Sequence, residues 1–229
     1  SKFDIAYSLS ASTFRGQKQV TLQFEEFRVT DEKPAEVKKA KLEIIDRRLN
    51  VGGLESLKVG TLVLAEGAEK SKGRPRFELQ QADEFVIYTT PPSPVELRKA
   101  LEIVKPKIIY VYAVPPAEEK PEDFLARLTG LCKYILNQRR GKAAIHELAA
   151  AMASREGAAQ IGLEWLAEGG HLSVDMEDDE ITLSATQAGG ARNKNPYLQA
   201  ELFIALKGIL NETLAYRKYF ATVDLKTLF

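Results

Sequence analysis

Imidazole and thiol chemistry is scarce in this chain: its 229 residues include two histidines, His146 and His171, and one cysteine, Cys132. A zinc-type centre needs three or four such donors at close spacing. Neither histidine has a histidine, cysteine or spaced carboxylate partner evident as a co-ligand, so no metal ligand is assigned. Cys132 belongs to the repeat Phe124, Leu125, Leu128, Leu131, Cys132, Ile135, Leu136, one face of a helix, and reads as a core residue instead of a nucleophile. Glu118, Glu119, Glu122 and Asp123 flank Pro121, and acids at a helix start complement the macrodipole without any active site. No nucleophile is paired with a base, so no catalytic residue is assigned, and the chain reads as a binding and scaffolding piece.

Binding chemistry is better represented. Phe14-Arg15-Gly16-Gln17-Lys18 sets an aromatic ring and two cations around a glycine turn between strands, the combination that stacks bases while following a single-stranded backbone. The competing reading is a solvated turn with Phe14 tucked into a core. A second basic run, residues 70–76, carries Gly73 and Pro75 and reads as a mobile loop. Its Lys70, Lys72, Arg74 and Arg76 either touch phosphate or stay in solvent. Lys+Arg and Asp+Glu both total 32, so any nucleic acid is attracted by local patches and not by net charge. Gly52-Gly53 and Gly67 fit neither a dinucleotide nor a Walker pattern, which leaves a nucleotide enzyme as a third reading behind DNA guidance and protein binding.

The elements that must hold these residues are mixed α/β. Phe3, Ile5, Tyr7 and Leu9 alternate, as do Val20, Leu22 and Phe24, so residues 1–30 read as a β-hairpin, marginal by itself in water. Residues 31–39 are charged and contain a proline, as a linker does. Short apolar runs at 42–45, 61–64, 85–88 and 108–114 predict strands buried on both faces of a parallel sheet, a small three-layer α/β domain over 40–116. Ser93-Pro94-Val95-Glu96 caps a helix with the stripe Leu97, Ala100, Leu101, Val104. The polar turns 46–48 and 89–92 fall where such sheets bind ligands.

Over 120–186 three helices are expected, one from Pro121, one from Lys142 to Ala153 and one capped by Ser154 and ending at Gly169-Gly170. An alternating pair around Glu177-Asp178-Asp179-Glu180 follows, and three helices with a two-stranded wing spell a winged-helix-like segment. Its third helix carries Glu156, Glu164 and Glu168, which with the acidic wing would repel phosphates and favour a protein partner. Asn195-Pro196 opens a long helix over 195–229 that packs back on earlier domains through Leu202, Phe203, Leu206, Ile209, Leu210 and Leu214. Hydrophobic residues make up 45% and charged residues 28%, and no apolar run nears the about 18 residues of a membrane span. A lone cysteine and no leader-like opening make the cytoplasm the expected location, with no membrane partner.

Residues 4–9, then Ser12-Thr13-Phe14-Arg15-Gly16 and Val20-Thr21-Leu22-Gln23, resemble the closing strands of the OB-fold in RecJ-type single-stranded-DNA-specific exonucleases. Arg15 and Gly16 match the family turn. Ser12 stands where the family often has Asn and Thr21 where it often has Gln, so the contacts of those two positions are not carried over. Residues 85–92, 124–131 and 162–166 are similar to the extended carboxyl-terminal region of some members. The resemblance implies a non-catalytic tail of a 5′-to-3′ exonuclease, a hydrolase of DNA recombination and repair. Its manganese or magnesium would sit upstream on aspartates and an Asp-His-His motif, which this sequence lacks. Implied partners are single-stranded DNA, upstream catalytic domains of the same chain, and a single-strand-binding protein or helicase. The alternative is a structural or protein-interaction module with no DNA affinity of its own.

Overall fold

The computed structural model describes residues 2–14, 17–30, 42–49, 53–185 and 195–229, with backbone alone for 2–4, 12–14, 17–19, 29–30 and 56. The expected linker at 31–39 and most of the loop before the last helix lie outside the described residues. The chain forms two units, Ser1–Ala40 and Lys41–Phe229.

In the first unit, β1 (Lys2–Phe14) and β2 (Gln17–Thr30) pair antiparallel. Leu9 faces Leu22, Tyr7 faces Phe24 and Ala11 faces Val20, so the alternating apolar residues of both strands share one side. Glu25-Glu26 interrupts the alternation, and the register shifts at this point, so that Ile5 faces Phe27. One extra residue in β2 is a β-bulge, and it returns Phe27 to the apolar side.

The second unit begins with a four-stranded sheet of β3 (Glu43–Asp46), β4 (Leu62–Leu64), β5 (Glu84–Thr89) and β6 (Ile108–Val114). The strand order is β3-β6-β5-β4 and every pairing is parallel. Both faces are covered over the central strands β5 and β6, which is why they read as unbroken apolar runs, whereas the edge strand β3, also expected to be buried on both faces, has no buried residue. Phe85, Ile87, Ile109 and Val111 face α1 (Pro94–Val104), while Val86, Tyr88 and Tyr112 meet Leu54 and Leu57 around the 3-10 turn Leu54–Ser56. Ser93 caps α1 as expected, accepting from the Val95 amide at 3.1 Å.

A second core gathers α2 (Pro121–Gln138), α3 (Ile145–Ala151) and α4 (Glu156–Glu168) against a three-stranded antiparallel sheet. That sheet runs in the order β7 (Lys142–Ala144), β9 (Glu180–Ala185), β8 (Leu172–Glu177). Two expectations are corrected here. Lys142–Ala144 is strand and not the start of a helix, because its backbone pairs with Thr182, Ile181 and Glu180. Ser154 does not cap α4: its amide closes the end of α3 on the Ala149 carbonyl at 2.8 Å, and Arg155 takes the cap position.

Asn195 caps α5 (Pro196–Thr222), its side chain accepting from the Leu198 amide at 3.2 Å. At about 1.5 Å per residue this helix is about 40 Å long. Leu206 is fully buried in the helical core and Phe220 in the core of the parallel sheet. Arg48 holds the far end, donating to the carbonyls of Phe220 at 2.8 Å and Val223 at 2.9 Å. Among the described residues no helix is long and apolar enough to cross a membrane.

Candidate functional site

The hairpin presents the largest unpartnered feature of its unit. Ile5, Tyr7, Leu9, Val20, Leu22, Phe24 and Phe27 lie on one side and are between 52% and 70% exposed. Burying a large apolar side chain gains about 1.5 kcal/mol or more, so a layer over this stripe would gain on the order of 10 kcal/mol. The opposite side is polar, and there Ser8 donates to Glu25 at 2.8 Å. The nucleic-acid candidates sit at the end of the same ladder. Phe14 closes β1 and Lys18 lies in β2, opposite Thr13, while Arg15 and Gly16 lie outside the described residues.

The second basic run does not form the loose loop expected of it. Gly67–Lys72 and Arg76–Glu78 are 3-10 helices, and between them Arg74 exchanges backbone hydrogen bonds with Val63 and Ala65 at 2.8 and 3.0 Å. Arg76 turns inward. Its Nε donates to Glu66 Oε1 at 2.7 Å, its amide to the same oxygen at 2.9 Å, and its NH2 to Oε2. Glu66 is 4% exposed, so this guanidinium is committed to a buried pair and is not offered to phosphate. Lys70 and Lys72 remain on the exposed side of the segment.

The turn 89–92 at the carboxyl edge of the parallel sheet, expected to invite a ligand, is taken up by the protein itself. Thr89 accepts from the Glu66 amide at 3.0 Å, Thr90 donates to the Ala113 carbonyl at 2.8 Å, and Pro91 and Pro92 are buried. At the other polar turn, Arg48 is spent on Asp46 and the end of α5, and its hydrogen bonds hold the Asp46 carboxyl below its ordinary range.

Cys132 is 1% exposed and burial pushes its thiol up to about 11. His146 packs on Phe77 with ring centres 5.2 Å apart, and His171 stacks on Trp165 at 6.1 Å. Among the described residues no three His, Cys, Asp or Glu side chains converge as a metal site. The acidic turn between β8 and β9 exposes Glu177, Asp178, Asp179 and Glu180 together.

Sequence reasoning passed over Glu66 and Arg217 inside the second unit, and it read Glu119 as a helix-start acid where the structure pairs it with Arg127 at 2.6 Å. Arg217 had a legible signal, because it continues the α5 stripe of Leu210 and Leu214 at helical spacing and so sets a cation on an apolar face. Neither a protein-family model, nor a curated protein, nor a solved structure matches this chain.

Proposed function

We propose that this chain is the non-catalytic carboxyl-terminal part of a RecJ-like single-stranded-DNA-specific 5′-to-3′ exonuclease. In this reading β1 and β2 are the closing strands of an OB-fold, whose strands carry alternating inward and outward residues. The observation that carries it is the hairpin's one-sided apolar stripe, with Phe27 restored to it by the bulge, because such a stripe calls for a covering layer, which in this reading is the rest of the barrel. The turn around Phe14, Arg15, Gly16 and Lys18 then guides single-stranded DNA toward a metal site on upstream domains. In this reading manganese or magnesium belongs to those upstream domains, and the residues of this chain bind and position. Lys41–Phe229, with its α/β sheet and winged-helix-like helices, braces the enzyme or receives a single-strand-binding protein or helicase.

Two measurements test the reading. The parent reading frame upstream of Ser1 is expected to encode an Asp-His-His motif, and its absence removes the assignment. In the full parent, anisotropy titrations with labelled single-stranded oligonucleotides should show weaker binding after Arg15→Ala and Lys18→Ala, with a shallower salt slope. Unchanged affinity in both variants rejects DNA guidance by this turn.

The acidic turn Glu177–Glu180 favours a second reading, a protein-interaction module without DNA affinity. It predicts no titratable oligonucleotide binding and retention by a basic protein partner, lost when Asp178 and Asp179 become Asn.

A further inference from the structure

A cavity of about 420 Å³ lies between residues 115–119, which leave β6, the turn 152–154 after α3, and one face of α5. Pro115, Phe124, Met152, Leu210 and Leu214 give it a mainly apolar wall, and its charged lining is Arg217 and Lys218 with Glu118 and Glu119, of which Glu118 pairs with Lys218 and Glu119 with Arg127. The Arg217 guanidinium donates to the Ala153 carbonyl, while its Nε is buried with no hydrogen-bond partner among the described residues.

The charges around it are largely matched in pairs, with Asp123 a further carboxylate beside Glu119. Arg76 is matched by Glu66, Arg127 by Glu119 at 2.6 Å, Arg155 by Glu212 at 2.8 Å and Lys218 by Glu118 at 3.2 Å. Among the described residues Arg217 has no carboxylate within ion-pair distance. Burial pulls its guanidinium down to about 10, with Arg76 pushing the same way and Glu66 and Glu119 pulling back from beyond ion-pair distance, and burial also raises the Glu119 carboxyl against the pull of Arg127. A desolvated cation without a partner is costly. Tying down the Ala153 carbonyl needs only a neutral donor, so the charge itself is left without a structural use.

We propose that this cavity binds a small organic anion, a carboxylate on a short apolar or aromatic body, with Arg217 as its counter-charge. The apolar wall takes the body, and its carboxylate gives Arg217 the ion pair that no described residue supplies. This site rests on other residues than the hairpin and stands independently of DNA guidance.

The probes are benzoate, its neutral analogue benzamide, and inorganic phosphate, titrated into the full chain by calorimetry and by amide NMR shifts. Benzoate should bind at least ten times more tightly than either comparison compound, with shifts at Ala117, Ala153 and Asn211. Arg217→Gln should cost at least tenfold in benzoate affinity. Because that variant can lose stability, Ala221→Phe supplies a second arm: Ala221 is exposed on α5 yet lines the cavity, so added bulk should weaken benzoate at least fivefold at unchanged melting temperature. Equal binding of benzoate and benzamide, phosphate binding as tightly as benzoate, or unchanged benzoate affinity in Ala221→Phe overturns the proposal.

Discussion

The hairpin β1–β2 and the strand pair β5–β6 are both built from apolar strand residues, and they end in opposite situations. Every large apolar side chain described on the hairpin is more than half exposed, whereas Phe85, Val86, Ile87, Ile109 and Val111 are fully buried. The difference lies in what covers them. Strands β5 and β6 have α1 and the end of α5 on one face and the Leu54–Ser56 segment on the other, while a two-stranded sheet brings no second layer of its own. A strand's periodicity tells how many of its faces are meant to be covered, and it is silent on what covers them.

The contrast can be broken from its buried side first. Phe220→Ala removes a fully buried ring from the parallel-sheet core and should cost about 3–5 kcal/mol in urea denaturation of the full chain. A loss under about 1 kcal/mol would mean that α5 is not seated there. Glu66→Gln comes next, at about 3 kcal/mol, because it strands the buried Arg76 guanidinium. The control is Asp83→Asn, whose pair with Lys107 is exposed at both ends and should change stability by less than about 0.5 kcal/mol.

Cys132 sharpens the same side. With burial raising its thiol to about 11, well above its ordinary range, its thiolate population near pH 8 should be about 100-fold lower than in the unfolded chain. Iodoacetamide alkylation is expected to slow by at least that factor relative to the urea-unfolded chain, and equal rates would place the thiol in solvent. The raised value contributes stability that is complete below the unfolded thiol's titration and lost as pH rises through about 11. The smallest effect belongs to the exposed side: Leu22→Ala should shift the stability of the 229-residue chain by less than about 0.5 kcal/mol. In a parent where a barrel covers the stripe, the same change should cost about 2–5 kcal/mol. Equal small effects in both would argue against the barrel.

Much of the architecture was legible because its signals are local. Alternation gave the hairpin, continuous apolar runs gave the parallel strands, and Ser93-Pro94 and Asn195-Pro196 marked two helix starts. What escaped depends on distant partners. Phe27 follows two glutamates and looks out of phase until pairing with β1 inserts the bulge. Lys142-Ala143-Ala144 suits a helix by composition and becomes strand only because β9 arrives some forty residues later. Arg76 looked like a solvent-facing cation because its partner, Glu66, lies ten residues away across two helical turns that carry no strong sequence signal. At the candidate DNA-contacting turn, sequence identified residue types, but the geometry of Arg15 and Gly16 lies outside the described residues.

One helix, α5, contributes Leu206 to one core and Phe220 to the other, and Arg48 clamps its last turn. Neither core is complete without a stretch of that rod. Melting should therefore run as one calorimetric transition across Lys41–Phe229, and a polypeptide stopped before Pro196 should surrender both cores to proteases at once.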